Sequence, residues 1–296
     1  MIKSRPFFFL LILSGIVLAC EDVIEVAVPT TKPRLIVDAL MRVDTTQQFF
    51  DVAVKVSETT NFFEEIAVTT LEEATMIFTT TRKDGLVLGT GVVPLMEVNP
   101  GSGVYVLEPG IETATVLGED DVLFTLILEH KGRKYAAQTR YVPAAEILDV
   151  VQGSDTLFDD EETEVVITFK DDSAIDNFYI FDLDFNKFLV SEDAFYNGQE
   201  FQFSYFYDKN LNSGQEVTIS ILGADRTFYN YMDELITQSE QPQGPFQTPV
   251  STVRGNVFDI TGLDNINIVD NAERPNDFPL GYFGIVQEFK KTITIQ

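Results

Sequence analysis

The chain has 296 residues, with 20 Lys+Arg against 47 Asp+Glu and a formal net charge of −27. So acidic a surface excludes nucleic acid as a partner, because that binding depends on basic groups that neutralise phosphates, and it repels anionic membrane surfaces too. One cysteine excludes internal disulfides, and one histidine excludes zinc sites built on pairs of His or Cys ligands.

Lys3 and Arg5 precede an apolar run, Phe7 to Leu18. That run is too short for the ~20 apolar residues a membrane-spanning helix needs, and it suits the apolar region of a signal peptide. It leads into Val17, Leu18, Ala19 and Cys20, which resemble a bacterial lipobox: aliphatic, tolerant, small, then the cysteine whose thiol receives a diacylglyceryl group. A buried free cysteine is the alternative, since cysteine packs well in cores. Nothing folded precedes Cys20, however, and its flanks are those of a targeting segment. Residues 1–19 are therefore expected to be a lipoprotein signal peptide and 20–34 a lipidated tether containing Pro29 and Pro33. Glu21 and Asp22 resemble the signal that sends lipoproteins of Bacteroidota to the outer face of the outer membrane; a periplasm-facing position is the alternative.

Strands follow. Phe50, Val52, Val54 and Val56 alternate on one face. Residues 74–80 and 86–88 flank Asp84-Gly85, a hairpin turn signal. Asn99-Pro100-Gly101-Ser102-Gly103 marks another turn, before Val104 to Leu107. Residues 122–129 and 135–141 flank a third hairpin at Lys131-Gly132-Arg133. Short strands at this spacing, with no helices between them, predict an antiparallel sandwich over 35–143.

Pro143 marks a boundary, and 144–296 forms a second β-rich domain. Its strands are expected at 164–170, 177–184, 201–207 and 216–222, with terminal strands at 278–289 and 292–295. A helix near 225–240 is capped by Asp225. Phe228, Tyr231, Met232, Leu235 and Ile236 form its apolar stripe, expected to pack on a sheet. The fold class is mainly β: tandem antiparallel, Ig-like β-sandwich domains, the second with one amphipathic helix.

Catalytic signatures are weak. His130 is the sole candidate for a Ser-His-Asp or Cys-His device, and it is expected to be exposed beside a hairpin tip, where no base is oriented. One acidic group contains Asp155, Asp159, Asp160, Glu161, Glu162 and Glu164; another contains Asp171, Asp172 and Asp176. Either could offer oxygen ligands to calcium, but neither has EF-hand spacing, and solvated loops are the simpler reading. No Walker-type or Rossmann glycine motif implies a nucleotide cofactor.

Phe228-Tyr229-Asn230-Tyr231, Pro245-Phe246-Gln247-Thr248-Pro249, Val253-Arg254-Gly255-Asn256-Val257 and Pro279-Leu280-Gly281-Tyr282-Phe283 follow one another in the second half. With Gly103-Val104-Tyr105 and Gly132-Arg133-Lys134-Tyr135-Ala136, this ordered set resembles a Bacteroidota outer-membrane lipoprotein family catalogued as a domain of unknown function. Genes of that family often lie beside TonB-dependent transporters. The resemblance implies an accessory lipoprotein that assists such a transporter in nutrient capture or uptake, and it brings no catalytic residues. A surface carbohydrate-active hydrolase with paired carboxylates is a second expectation, and a structural or adhesive envelope protein a third. The hydrolase predicts two carboxylates converging in a pocket with aromatic walls.

Overall fold

Leu35, Val37, Ala39, Met41 and Val43 are buried while the residues between them are not, and this period-2 row makes the first strand, β1 (Leu35–Val43). The computed structural model describes residues 32–60, 66–114, 121–158, 162–173, 177–208, 211–240, 252–263 and 278–296. After β1 come β2 (Phe49–Phe50), β3 (Ala53–Glu58), β4 (Ala67–Val68), β5 (Glu73–Thr81), β6 (Val87–Glu97), β7 (Val104–Leu107), β8 (Thr113–Ala114), β9 (Asp121–His130) and β10 (Arg133–Val142). Further along lie β11 (Glu146–Gln152), β12 (Thr163–Lys170), β13 (Phe178–Asp182), β14 (Phe188–Glu192), β15 (Glu200–Tyr207) and β16 (Glu216–Ala224). The helix α1 (Arg226–Glu240), β17 (Val257–Asp259) and β18 (Leu280–Thr294) complete the described chain.

Among the described residues, eight strands close on themselves in the order β1-β3-β7-β6-β5-β9-β10-β18. Neighbours are antiparallel, except that β18 runs parallel to both β1 and β10. Val37, Val54, Leu126, Leu128, Phe283 and Ile285 share one core, so the lumen is filled with side chains, as an eight-stranded barrel allows. This corrects the expectation of tandem Ig-like sandwiches. Alternating inward and outward residues are common to a sandwich and a barrel; closure comes from β18, which lies at the other end of the sequence.

The strand β18 is shared. Leu280 to Gln287 pair with β1, while Glu288 to Thr294 pair with β16. The sheet β14-β13-β16-β18 packs on a second sheet, β11-β12-β15, through Ile147, Val165, Ile167, Phe181, Ile219 and Ile221. Phe169 sits at the centre of this layer, edge-on to Tyr179, Phe181 and Tyr196 at 5.4–5.9 Å between ring centroids. Asp225 caps α1, accepting from the Phe228 amide at 2.7 Å. Phe228, Tyr231 and Met232 pack on Phe178, Ile180 and Tyr282, whereas Leu235 lies at the exposed edge of the stripe.

Two glycines let β18 into the barrel wall. A β-carbon at Gly281 (φ +95°) would lie 1.9 Å from the Val37 carbonyl oxygen, and one at Gly255 would lie 1.6 Å from the Gly281 carbonyl oxygen. Asn256 completes the joint by treating β18 as a strand partner: its Oδ1 accepts from the Phe283 amide at 2.8 Å and its Nδ2 donates to the Phe283 carbonyl at 2.7 Å.

Candidate functional site

The inward rows of the barrel end in ionisable side chains at one mouth. Val54 and Val56 on β3 lead to Glu58, Leu126 and Leu128 on β9 lead to His130, and Ala137 and Tyr135 on β10 lead back to Arg133. Lys131 and Gly132, with φ 50° and 70°, form the two-residue turn between β9 and β10. Glu72 holds that turn, accepting from the amides of Lys131 at 2.9 Å and Gly132 at 3.2 Å.

His130 is buried, only 4% exposed, which corrects the expectation of a surface histidine. The turn is exposed, but the residue before it continues the inward row of β9. Its Nδ1 lies 2.9 Å from the Thr70 carbonyl oxygen and its Nε2 3.0 Å from Glu58 Oε1. Both neighbours are acceptors, so the ring makes both bonds only with a proton on each nitrogen. Lys131 Nζ donates to both Glu58 oxygens at 2.6 and 2.8 Å. Burial pushes the Glu58 carboxyl up, but the bonds from Lys131 and His130 outweigh it and hold the group below the ordinary glutamate value.

Cations ring the same mouth. Arg133 is bonded to Asp259 on β17, whose Oδ1 also accepts from the Thr261 amide at 2.8 Å. The guanidinium carbons of Arg34 and Arg254 lie 4.7 and 4.2 Å from the centroid of the Phe278 ring. Arg34, Glu58, His130, Lys131, Arg133 and Phe278 line a cavity of about 120 Å³. The arrangement can hold an anion, while the ring of His130 is already tied on both sides.

At the opposite mouth, Met76, Phe78, Leu107 and Phe124 line an apolar cavity of about 270 Å³. Beside it, Phe49, Phe50, Asp51, Glu108 and Glu112 border a broader cleft of about 510 Å³.

The acidic groups singled out in the sequence hold loops in place. The Glu164 carboxylate accepts from the Ser204 hydroxyl and the Asp155 amide, and Glu162 accepts from the amides of Leu157 and Phe158. Asp171 accepts from the Tyr179 hydroxyl and the Gly198 amide. Among the described residues, no group of three or more His, Cys, Asp or Glu is placed to hold a metal ion. Asp159, Asp160, Glu161 and Asp176 lie outside the described residues, as do Val17, Leu18, Ala19, Cys20, Glu21 and Asp22. No described helix is long and apolar enough to cross a membrane.

Sequence reasoning missed Glu58 and the cluster around it. The available signal was the period-2 row on β9, which carries one step past Leu128 to His130.

A closed mixed barrel with a filled lumen, joined to a two-sheet layer by one long strand, defines a β-scaffold protein with cavities at the barrel mouths. The chain belongs to the family described as a domain of unknown function, DUF4249, which matches residues 21–292. A comparison with curated proteins found no match. The Gly-Asn and Leu-Gly-Tyr-Phe motifs of the second half coincide with the Gly255–Gly281 approach and the Asn256–Phe283 bonds, so their place in the fold is accounted for by packing.

Proposed function

We propose that this protein is a lipid-anchored accessory of the bacterial outer membrane, attached through Cys20 and exposed at the cell surface, that binds a partner and does not catalyse. The partner in this reading is a TonB-dependent transporter, which the protein assists in nutrient capture or uptake. Nucleic acid is not a partner. The observation that supports binding is an uncharged stretch of outer barrel wall. Leu88, Thr90, Val92, Pro94 and Met96 face outward along β6, with Val92 63% and Met96 48% exposed. Ile77 on β5 stands opposite Val92, and Val106 on β7 opposite Met96. In a chain of net charge −27, a strand whose outward row carries no charge is a surface suited to another protein.

The test is a pull-down of the tagged protein from its own outer membranes in mild detergent, with co-purifying proteins identified by mass spectrometry. The wild type is expected to bring a transporter in stoichiometric amount, and the double variant Val92→Lys, Met96→Glu to lose it while remaining folded. Recovery of the wild type alone, under conditions that preserve other envelope complexes, overturns the reading.

One observation favours a second reading, a surface carbohydrate-active hydrolase. The cleft bordered by Asp51, Glu108 and Glu112 has Phe49 and Phe50 in its wall, the combination of carboxylates and aromatic rings such an enzyme uses. Glycan cleavage that is lost in Glu108→Gln would favour it.

A further inference from the structure

We infer that the apolar cavity at the far mouth of the barrel binds a small amphiphilic cation, an aromatic or short alkyl body seated among the side chains with an amine at the lip. The inward rows build the seat. Met76 and Phe124, 2% and 3% exposed, form its floor, and Phe78, Val93, Leu107 and Val122 form its walls. Gly91 keeps it open. It stands opposite Phe78 in the strand register, and a β-carbon there would lie 2.0 Å from the tip of the Phe78 ring. The ring therefore lies along the wall, in the space a side chain at position 91 would take.

The lip supplies the charge. Phe49 and Phe50 of β2 pair with Ala114 and Thr113 of β8, and the Ile111 amide donates to the Glu108 carbonyl at 3.0 Å across a turn. Glu112 lines both the cavity and the neighbouring cleft, which Asp51 and Glu108 also border. Among the described residues, no ion pair joins any of these three carboxylates to a cation. The cavity makes the seat, and the carboxylates decide which charge its occupant bears: they attract an ammonium and repel a carboxylate. Size narrows the ligand further. An apolar cavity of roughly 150 Å³ takes one benzene. About 270 Å³ takes a fused pair of rings, or a chain of similar bulk, with its polar end left at the lip. The site depends on neither functional reading above, so a pull-down without a transporter leaves it standing.

The experiment uses three probes with one naphthalene body: naphthylmethylamine, naphthylmethanol and naphthylacetate. Each is titrated by calorimetry at neutral pH into the full-length protein in phosphatidylcholine nanodiscs, with empty nanodiscs as the reference. Saturable binding of one probe per protein is expected, with the amine roughly tenfold tighter than the acetate, the alcohol between them, and the gap narrowing as sodium chloride rises. Glu112→Gln is expected to weaken the amine roughly threefold and to leave the alcohol unchanged. Val93→Phe, whose ring fills the seat, is expected to abolish binding of all three. The double variant Val92→Lys, Met96→Glu changes the outward row of the same strand and is expected to bind as wild type does. No saturable binding by the wild type overturns the proposal, and so does equal affinity for amine and acetate. Binding kept by a folded Val93→Phe, or lost in the outward variant, places the probe elsewhere and overturns it too. Glu112→Gln, a change at an exposed residue, decides the matter if Val93→Phe does not fold: an unchanged preference for the amine overturns the proposal.

Discussion

Glu58 is a carboxylate at the end of a valine row, kept ionised by its neighbours although burial opposes its charge. The sign of its pH dependence follows. A carboxyl whose folded value is depressed stabilises the fold above its ordinary value of 4.5, and that contribution is lost as pH falls through the lower, folded value. Thermal midpoints of the wild type and Glu58→Gln, measured from about pH 7 down to about pH 3, are expected to converge at the acid end, with the wild type more stable at neutral pH. Curves that stay parallel across the range would remove Glu58 from the acid limb. The same neighbourhood shows what a sequence discloses about a site. The inward row Phe124, Leu126, Leu128 was readable, and one more step reaches His130; the Lys131-Gly132 turn drew attention to exposure instead. Glu58 gave no local signal, because its bond to His130 spans 72 positions of sequence and exists only once the barrel has closed.

The helix α1 was the most legible element: its cap and most of its buried stripe are written within a dozen residues. Asp225 supports it by accepting from the Phe228 amide. The Tyr282 hydroxyl, which packs against the helix, is pushed upward, by burial first and then by the charge of Asp225. Asp225→Ala is expected to cost about 1 kcal/mol, the loss of the cap, while Asp225→Asn retains most of it. Urea midpoints of the three proteins at neutral pH check that order, and an Ala variant as stable as the wild type would contradict it. By contrast, β18 was misread as two strands, 278–289 and 292–295. It runs unbroken from Leu280 to Thr294, and Lys290 and Lys291 pair with Ser220 and Ile219 of β16. The strand holds both lysines on opposite faces: Lys290 is exposed, and Lys291 Nζ donates to the Leu148 carbonyl at 2.6 Å.

At the scale of the whole molecule, one strand joins the elements on either side of residue 143, where a boundary was expected. Strands β1 to β10 lie before it, yet the barrel they form is closed by β18, whose other half carries the sheet with β16. That closure was not legible, because pairing Ile36 with Leu280 and Val43 with Gln287 is a contact between opposite ends of the chain, and local patterns carry no information about it. Arg42 on β1 adds a polar tie across the joint, bonded to Asp182 on β13 and lying 3.5 Å from Glu288. Barrel and sheets should therefore unfold together. Gly281 is the place to test this, since a methyl group there meets the Val37 carbonyl oxygen at 1.9 Å in a backbone conformation that already disfavours a side chain. Gly281→Ala is expected to cost more than about 2 kcal/mol through strain and clash combined. In native-state hydrogen exchange, that loss should appear equally in amides of β3 and β9, inside the barrel, and of β12 and β13, which do not touch Gly281. Slowly exchanging amides in β12 and β13 that keep their wild-type protection in the variant would show the two units to be separable. A uniform loss would mean that one glycine, by letting β18 lie against β1, sets the stability of both.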